Sequence, residues 1–187
     1  MSAPKETDTA TALQARRVVT GHDDAGRSVI LFDDHGKNVT HIPSWKGLYV
    51  TELWVTSESP INNQGVSDRS LRPMKHDPDA NGTIFRLVEI PPESTTSFDA
   101  KGIFTELGSS TKPSAEDSAR HPTMHKTHSV DYLVVISGEM YMVMEKGETL
   151  LRQGDCVVQR GTNHAWVNKS SVPCLIAAIL VDAAPAP

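Results

Sequence analysis

Glycines punctuate the last third of the chain at a spacing that helices do not tolerate. Gly138, Gly147, Gly154 and Gly161 separate short stretches rich in Val, Leu, Ile and Met. An interior glycine costs a helix about 1 kcal/mol. Strands of five to eight residues or so, joined at glycine turns, build antiparallel sandwiches and barrels instead. The pattern predicts strands at Val130–Ser137, Met140–Glu145, Thr149–Arg152, Cys156–Gln159, His164–Asn168 and Cys174–Val181. Turns fall at Gly138–Glu139, Lys146–Gly147 and Gln153–Gly154, and a loop at Arg160–Asn163.

Upstream the signal is also strand. Arg16–Thr20 and Ser28–Asp33 flank HDDAG, a hairpin turn centred on Gly26. Tyr49–Thr56 alternates, and Thr83–Ile90 follows an Asn81–Gly82 turn and stops at Pro91–Pro92. Ser57–Asp79 reads as a long loop, and Ser94–Pro122 as irregular chain with one short helix near Ser114–Ala119. With 187 residues there is material for one domain with a sizeable core. The predicted organisation is all-β. A tail covers 1–12, N-terminal strands over 13–100 extend the barrel sheets, the barrel core spans 101–182, and a second tail covers 183–187.

Charge and composition exclude several classes. The net charge of −5 gives no reason to expect nucleic acid or an anionic membrane as partner. No apolar run approaches the roughly 20 residues that span a bilayer. The first residues, MSAPKETDTATALQARR, lack the apolar core of a secretory signal. Cys156 and Cys174 lie inside apolar strand patterns, and nothing favours pairing them, so a cytoplasmic location is expected. No phosphate-binding glycine loop, nucleophile elbow or H-E-x-x-H helix is present.

The chemistry concentrates between His125 and Asn168. Side chains alternate along a strand, so Asp131, Leu133 and Val135 share one face, and His164, Trp166 and Asn168 share one face of another. If Asp131 points into a barrel it must be paired, protonated or bound to a cation. His125, His164 and that carboxylate make a three-ligand open site for divalent Fe, Mn, Zn, Ni or Co. Plainer readings stand beside this one. His125 sits in a polar loop, HPTMHKTH, where a histidine is usually solvated, and Asp131 could cap a loop or pair with Arg160. His128 reaches the pocket only through a bulge in its turn. Thr127 either bonds a substrate or stabilises the turn, and Trp166 forms a pocket wall. Met140, Met142 and Met144 form a period-two core stripe. Arg86 and Glu89 take opposite faces, so Arg86 either anchors a carboxylate substrate or lies on the surface. His22, His35, His41 and His76 lie in loops and are assigned no role. Without a metal, Asp131 would be a general base with His164 as its partner acid.

These residues carry a resemblance. Residues 120 to 182 or so, about a third of the chain, resemble a cupin, whose two motifs are G-x5-H-x-H-x3,4-E-x6-G and G-x5-P-x-G-x2-H-x3-N. In the second motif Gly154 and Gly161-x2-His164-x3-Asn168 keep the spacing, with Arg160 where proline is usual and a loop one residue shorter. In the first, His125 matches the first histidine and Asp131-x6-Gly138 keeps the carboxylate-to-glycine spacing, with Asp for Glu. The second histidine position falls on Thr127, with His128 one residue beyond. The resemblance implies an antiparallel jelly-roll β-barrel with extra N-terminal strands, a small-molecule substrate and a homodimer. It implies a divalent transition metal (Fe, Zn, Mn or Ni) on His125, His128, Asp131 and His164, or a site that has lost it. The missing ligand shifts the expected activity from a dioxygenase towards a lyase or isomerase, acting by decarboxylation or dehydration of an oxygenated organic acid. A non-catalytic ligand-binding module is the other alternative.

Overall fold

The computed structural model describes residues 15–109 and 113–185. The tail expected over 1–12 lies outside them. Eleven strands are described: β1 (Arg16–His22), β2 (Ser28–His35), β3 (Asn38–His41), β4 (Tyr49–Thr56), β5 (Thr83–Ile90), β6 (Ser129–Ser137), β7 (Glu139–Met144), β8 (Glu148–Arg152), β9 (Cys156–Arg160), β10 (His164–Val167) and β11 (Cys174–Asp182). A six-stranded sheet runs β3-β4-β5-β11-β6-β9, and a three-stranded sheet runs β10-β7-β8. Their facing sides enclose the core, with Val50, Ile84, Leu133, Val135 and Ile176 meeting Met140 and Leu151. This is an all-β jelly roll.

β11 explains the closure. Its sequence, CLIAAILVD, is apolar on both faces, and it pairs along its length with β5 on one side and β6 on the other. The large sheet therefore joins strands from both halves of the chain. β3, β4 and β5 extend the large sheet, whereas β1 and β2 form a separate two-stranded sheet. That hairpin is tied down at its base by Arg17, which is 5% exposed. Arg17 donates to Asp68 Oδ2 (2.7 Å), Asp34 Oδ2 (3.1 Å) and Leu53 O (3.1 Å). The guanidinium holds the Asp68 carboxyl at a pKa of about 2.

Two short helices follow β5. α1 (Ala100–Glu106) is capped by Asp99, which accepts from Lys101 N, and it buries Ile103 and Phe104. Only one turn's worth of apolar residues marks it in the sequence, too few for a visible 3.6 periodicity. α2 (Ala115–Arg120) starts at a Ser114/Asp117 capping box, where the sequence places a helix. Gly138 joins β6 to β7 at φ 76°, and a Cβ there would stand 2.7 Å from Pro173 O and 3.0 Å from the Cα of Cys174. The glycine of the first motif is thus required both by its backbone conformation and by the approach of the chain entering β11.

Candidate functional site

A cavity of about 120 Å3 lies between the sheets. Strand alternation on β6 aims Ser129, Asp131, Leu133 and Val135 inward, and all four are buried. Thr127, at 4% exposure, precedes them on the same side. Thr127 Oγ1 and Ser129 Oγ share a hydrogen bond of 2.7 Å, and Ser129 Oγ donates to Asp131 Oδ1 at 2.6 Å. A hydroxyl chain thus links Thr127 to the carboxylate, and both of its ends line the cavity. Burial pushes the Asp131 carboxyl up to about 6, against the opposing pull of the Ser129 hydroxyl and of Arg86.

The two motif histidines are brought together by the backbone. His125 N donates to His164 O (2.8 Å) and His164 N to His125 O (2.9 Å). Their rings stand with centroids 4.4 Å apart. His125 Nδ1 lies 2.9 Å from Thr123 O, and a carbonyl can only accept, so this nitrogen carries the proton. His164 Nδ1 is held between Thr162 O (2.9 Å) and the Gln159 amide (2.7 Å). With Nδ1 engaged, Nε2 is the nitrogen each ring has left for a ligand. Burial pushes both imidazoles below their ordinary pKa, His164 the further of the two, and each is neutral.

A third imidazole joins them. His76, assigned nothing by the sequence, arrives on the loop between β4 and β5. Its ring centroid is 4.9 Å from that of His125, and its Nδ1 is 3.1 Å from Ser109 Oγ. Burial holds it well below 6.5, with His125 adding to the effect. No local pattern marks His76, because only the tertiary path of the loop brings it in. Ser129 could have been read from its period-two relation to Asp131.

Arg86 faces inward from β5 at 3% exposure, and Glu89 faces out. Arg86 Nη2 donates to Glu52 Oε1 (2.8 Å) and Lys75 O (2.6 Å), and burial lowers its pKa to about 10. The cation that acts on Asp131 is this one; Arg160 is exposed on β9. His125, His164, Asp131, Thr127, Trp166 and Arg86 all line the cavity. Asn168 is buried but structural, its amide donating to Ile90 O and Val172 O.

His128 does not join them. Thr127 points in, so its neighbour points out, and His128 is exposed, with its backbone carbonyl accepting from Ala183 N. No bulge carries it into the position occupied by Thr127. Among the described residues, no group of three or more His, Cys, Asp or Glu side chains is arranged to hold a metal ion. The motif imidazoles supply a pair, His76 rests against the ring of His125, and Asp131 Oδ1 is engaged by Ser129. The donor set does not fit the expected metal site. Cys156 and Cys174 are free, and burial pushes the Cys174 thiol up to about 11. A larger groove of about 570 Å3 beside the β1–β2 hairpin has no carboxylate in its lining.

No family model matches the chain. The cupin-domain-containing oxidoreductase fogC of Aspergillus ruber (strain CBS 135680) is 30% identical over 174 residues, covering 89% of this chain and 71% of that one. The cupin-domain-containing oxidoreductase virC of Hypocrea virens (strain Gv29-8 / FGSC 10586) is 26% identical over 175 residues, covering 90% and 76%. Among solved structures, a Cupin 2 conserved barrel domain protein from Salinispora arenicola CNS-205 is 14% identical, with a TM-score of 0.41 over 78% of this chain and 82% of that one. The chain belongs to the cupin superfamily. Among the described residues no helix is long and apolar enough to cross a membrane.

Proposed function

We propose that this cupin is a small-molecule enzyme that moves a proton on an oxygenated organic acid inside its barrel, a lyase or isomerase reaction such as dehydration. The observation that carries it is Asp131, a buried carboxyl with a pKa of about 6, facing an apolar cavity beside two neutral imidazoles. A carboxylate that titrates near neutral pH is well placed as a general base. Asp131 takes the proton from the carbon next to a carbonyl and returns it to the leaving hydroxyl, so that water departs as the double bond forms. His125 and His164, accepting at Nε2, hold a substrate hydroxyl. Thr127 hydrogen-bonds the substrate and keeps Asp131 oriented through Ser129. Arg86, already in contact with Glu52, supplies positive potential at the cavity wall for the acid group. Trp166 and the aliphatic lining suit an apolar body.

A panel of hydroxy and keto acids, incubated in D2O under nitrogen with and without chelator, tests this. Deuterium entering the substrate carbon in wild type but not in Asp131→Asn supports the reading. Turnover that requires oxygen or an added nicotinamide or metal, with no deuterium wash-in, rejects it. That outcome would favour the second reading, an oxidoreductase, which the likeness to the oxidoreductases fogC and virC supports. Binding without turnover of any panel member would make the chain a ligand-holding module.

A further inference from the structure

The hydrogen bonds already made around the cavity leave its polar groups with opposite needs. Ser129 Oγ has one proton, and it goes to Asp131 Oδ1 at 2.6 Å. In the 2.7 Å contact between Thr127 Oγ1 and Ser129 Oγ, the proton must therefore come from Thr127. With its only proton spent, Thr127 Oγ1 offers a ligand lone pairs alone. His125 gives its Nδ1 proton to Thr123 O at 2.9 Å, so its neutral ring accepts at Nε2. The second oxygen of an ionised Asp131 is an acceptor as well. These three groups accept and cannot donate.

Arg86 has the reverse need. It is the one Lys or Arg among the described residues that line the cavity. Nη2 is spent on Glu52 and on Lys75 O, and among the described residues Nε has no hydrogen-bond partner. A buried donor left unpaired is costly, and a native fold that keeps one calls for an occupant. Register places Arg86 on β5 beside Ala178 on β11, and Ala178 beside Leu133 on β6, two residues on from Asp131. Two strand spacings, about 10 Å, separate β5 from β6. That is too far for a direct ion pair, and the short side chain of Ala178 leaves the space between them open. Ile103 and Phe104 of α1 close the cavity with apolar surface.

We infer that the site is built for a singly charged hydroxy acid, with its carboxylate on Arg86, its hydroxyl donating to His125, Thr127 and Asp131, and an uncharged body against α1. This rests on the enzyme proposed above acting on a small acid, and it narrows the acid. An oxo acid of the same skeleton would turn a carbonyl lone pair towards lone pairs, and a dicarboxylate or phosphate ester would bring a second charge with no second cation to meet it.

Calorimetric titration of the full chain at neutral pH with two matched series tests this. One is mandelate, phenylglyoxylate, phenylacetate and phenylethanediol; the other is β-hydroxybutyrate, acetoacetate, butyrate and butanediol. In at least one series the hydroxy acid should bind about tenfold or more tightly than its oxo, unsubstituted and diol partners. Thr127→Val should bring the hydroxy-to-oxo ratio to within about threefold, and Thr127→Ser should restore it. Arg86→Gln should lower the hydroxy acid to the affinity of the diol while the preference for a hydroxyl persists. Circular dichroism melts identify a variant that fails to fold, and the wild-type ratios then decide alone. An oxo acid that binds as well as the hydroxy acid in both series overturns the inference. So does a diol that matches the acid, or a wild type that binds neither series. The reaction and the recognition fail separately. A hydroxy-acid preference without deuterium wash-in overturns the reaction and leaves the recognition standing. Deuterium wash-in with equal affinity for the oxo acid does the reverse.

Discussion

Asp131 shows how one residue can serve chemistry at the expense of stability. Its folded pKa of about 6, against an ordinary 3.8, means that ionising it works against the fold. Its contribution is full below about pH 4 and is lost as the pH rises through 6, on the order of 3 kcal/mol by the usual conversion. Asp131→Asn should therefore flatten that part of the stability–pH curve and gain stability at pH 7.5 relative to pH 4.5. Urea titrations of both proteins at the two pH values check this, and parallel curves would show that the burial effect is absent. The same variant should lower turnover by about 10^2 to 10^4, the usual yield of a general base. Asp131, His125 and His164 were legible because alternation and motif spacing place side chains on faces. The face rule also decides against His128, since Thr127 takes the inward position. His76 was not legible, because its neighbours in sequence say nothing of the imidazole at 4.9 Å. With only a pair of motif imidazoles converging, protein purified without chelator should retain well below one equivalent of Fe, Zn, Mn or Ni. Elemental analysis checks this, and a full equivalent that His164→Ala removes would mean that the side chains regroup around an ion.

At the scale of elements, the turns and tethers are the weak points. Gly138→Ala should cost about 2–3 kcal/mol, because the residue must hold φ 76° and its new methyl meets backbone at 2.7 Å. A chemical-denaturation midpoint unchanged from wild type would show that the β6–β7 turn can shift aside. Arg17→Ala should free the β1–β2 hairpin, leaving Asp68 and Asp34 without their shared partner, at about 3 kcal/mol. Hydrogen exchange should show the loss in the hairpin amides first, with the barrel strands still protected. β4 and β5 could be read in full from alternation and from the proline stop. β3 and α1 could not, because each is too short to show a period and is held by what it packs against, β4 for one and the core for the other. The hairpin could be read as a hairpin, but its attachment to the rest of the fold depends on Arg17, whose partners lie up to 53 residues away.

For the molecule as a whole, three neutral imidazoles at the core edge set the acid limit. His76, His125 and His164 all have depressed pKa values, through burial first. The stability they contribute is present above their ordinary pKa near 6.5 and is lost as the pH falls through the folded values. Thermal midpoints should fall steadily from pH 7 to pH 5, and His76→Gln should shallow the slope by up to one proton. An identical slope in the variant would mean that His76 is solvated. The two-sheet architecture was legible from strand spacing, whereas sheet order was not, since nothing local says that β5 and β6 flank the same partner. That order has a consequence for how the chain is made. Synthesis on the ribosome releases β5 and β6 long before β11, so two open sheet edges wait for the strand that joins them. The nascent chain is most exposed to mispairing in that interval, and a chaperone that shields extended apolar segments would act there.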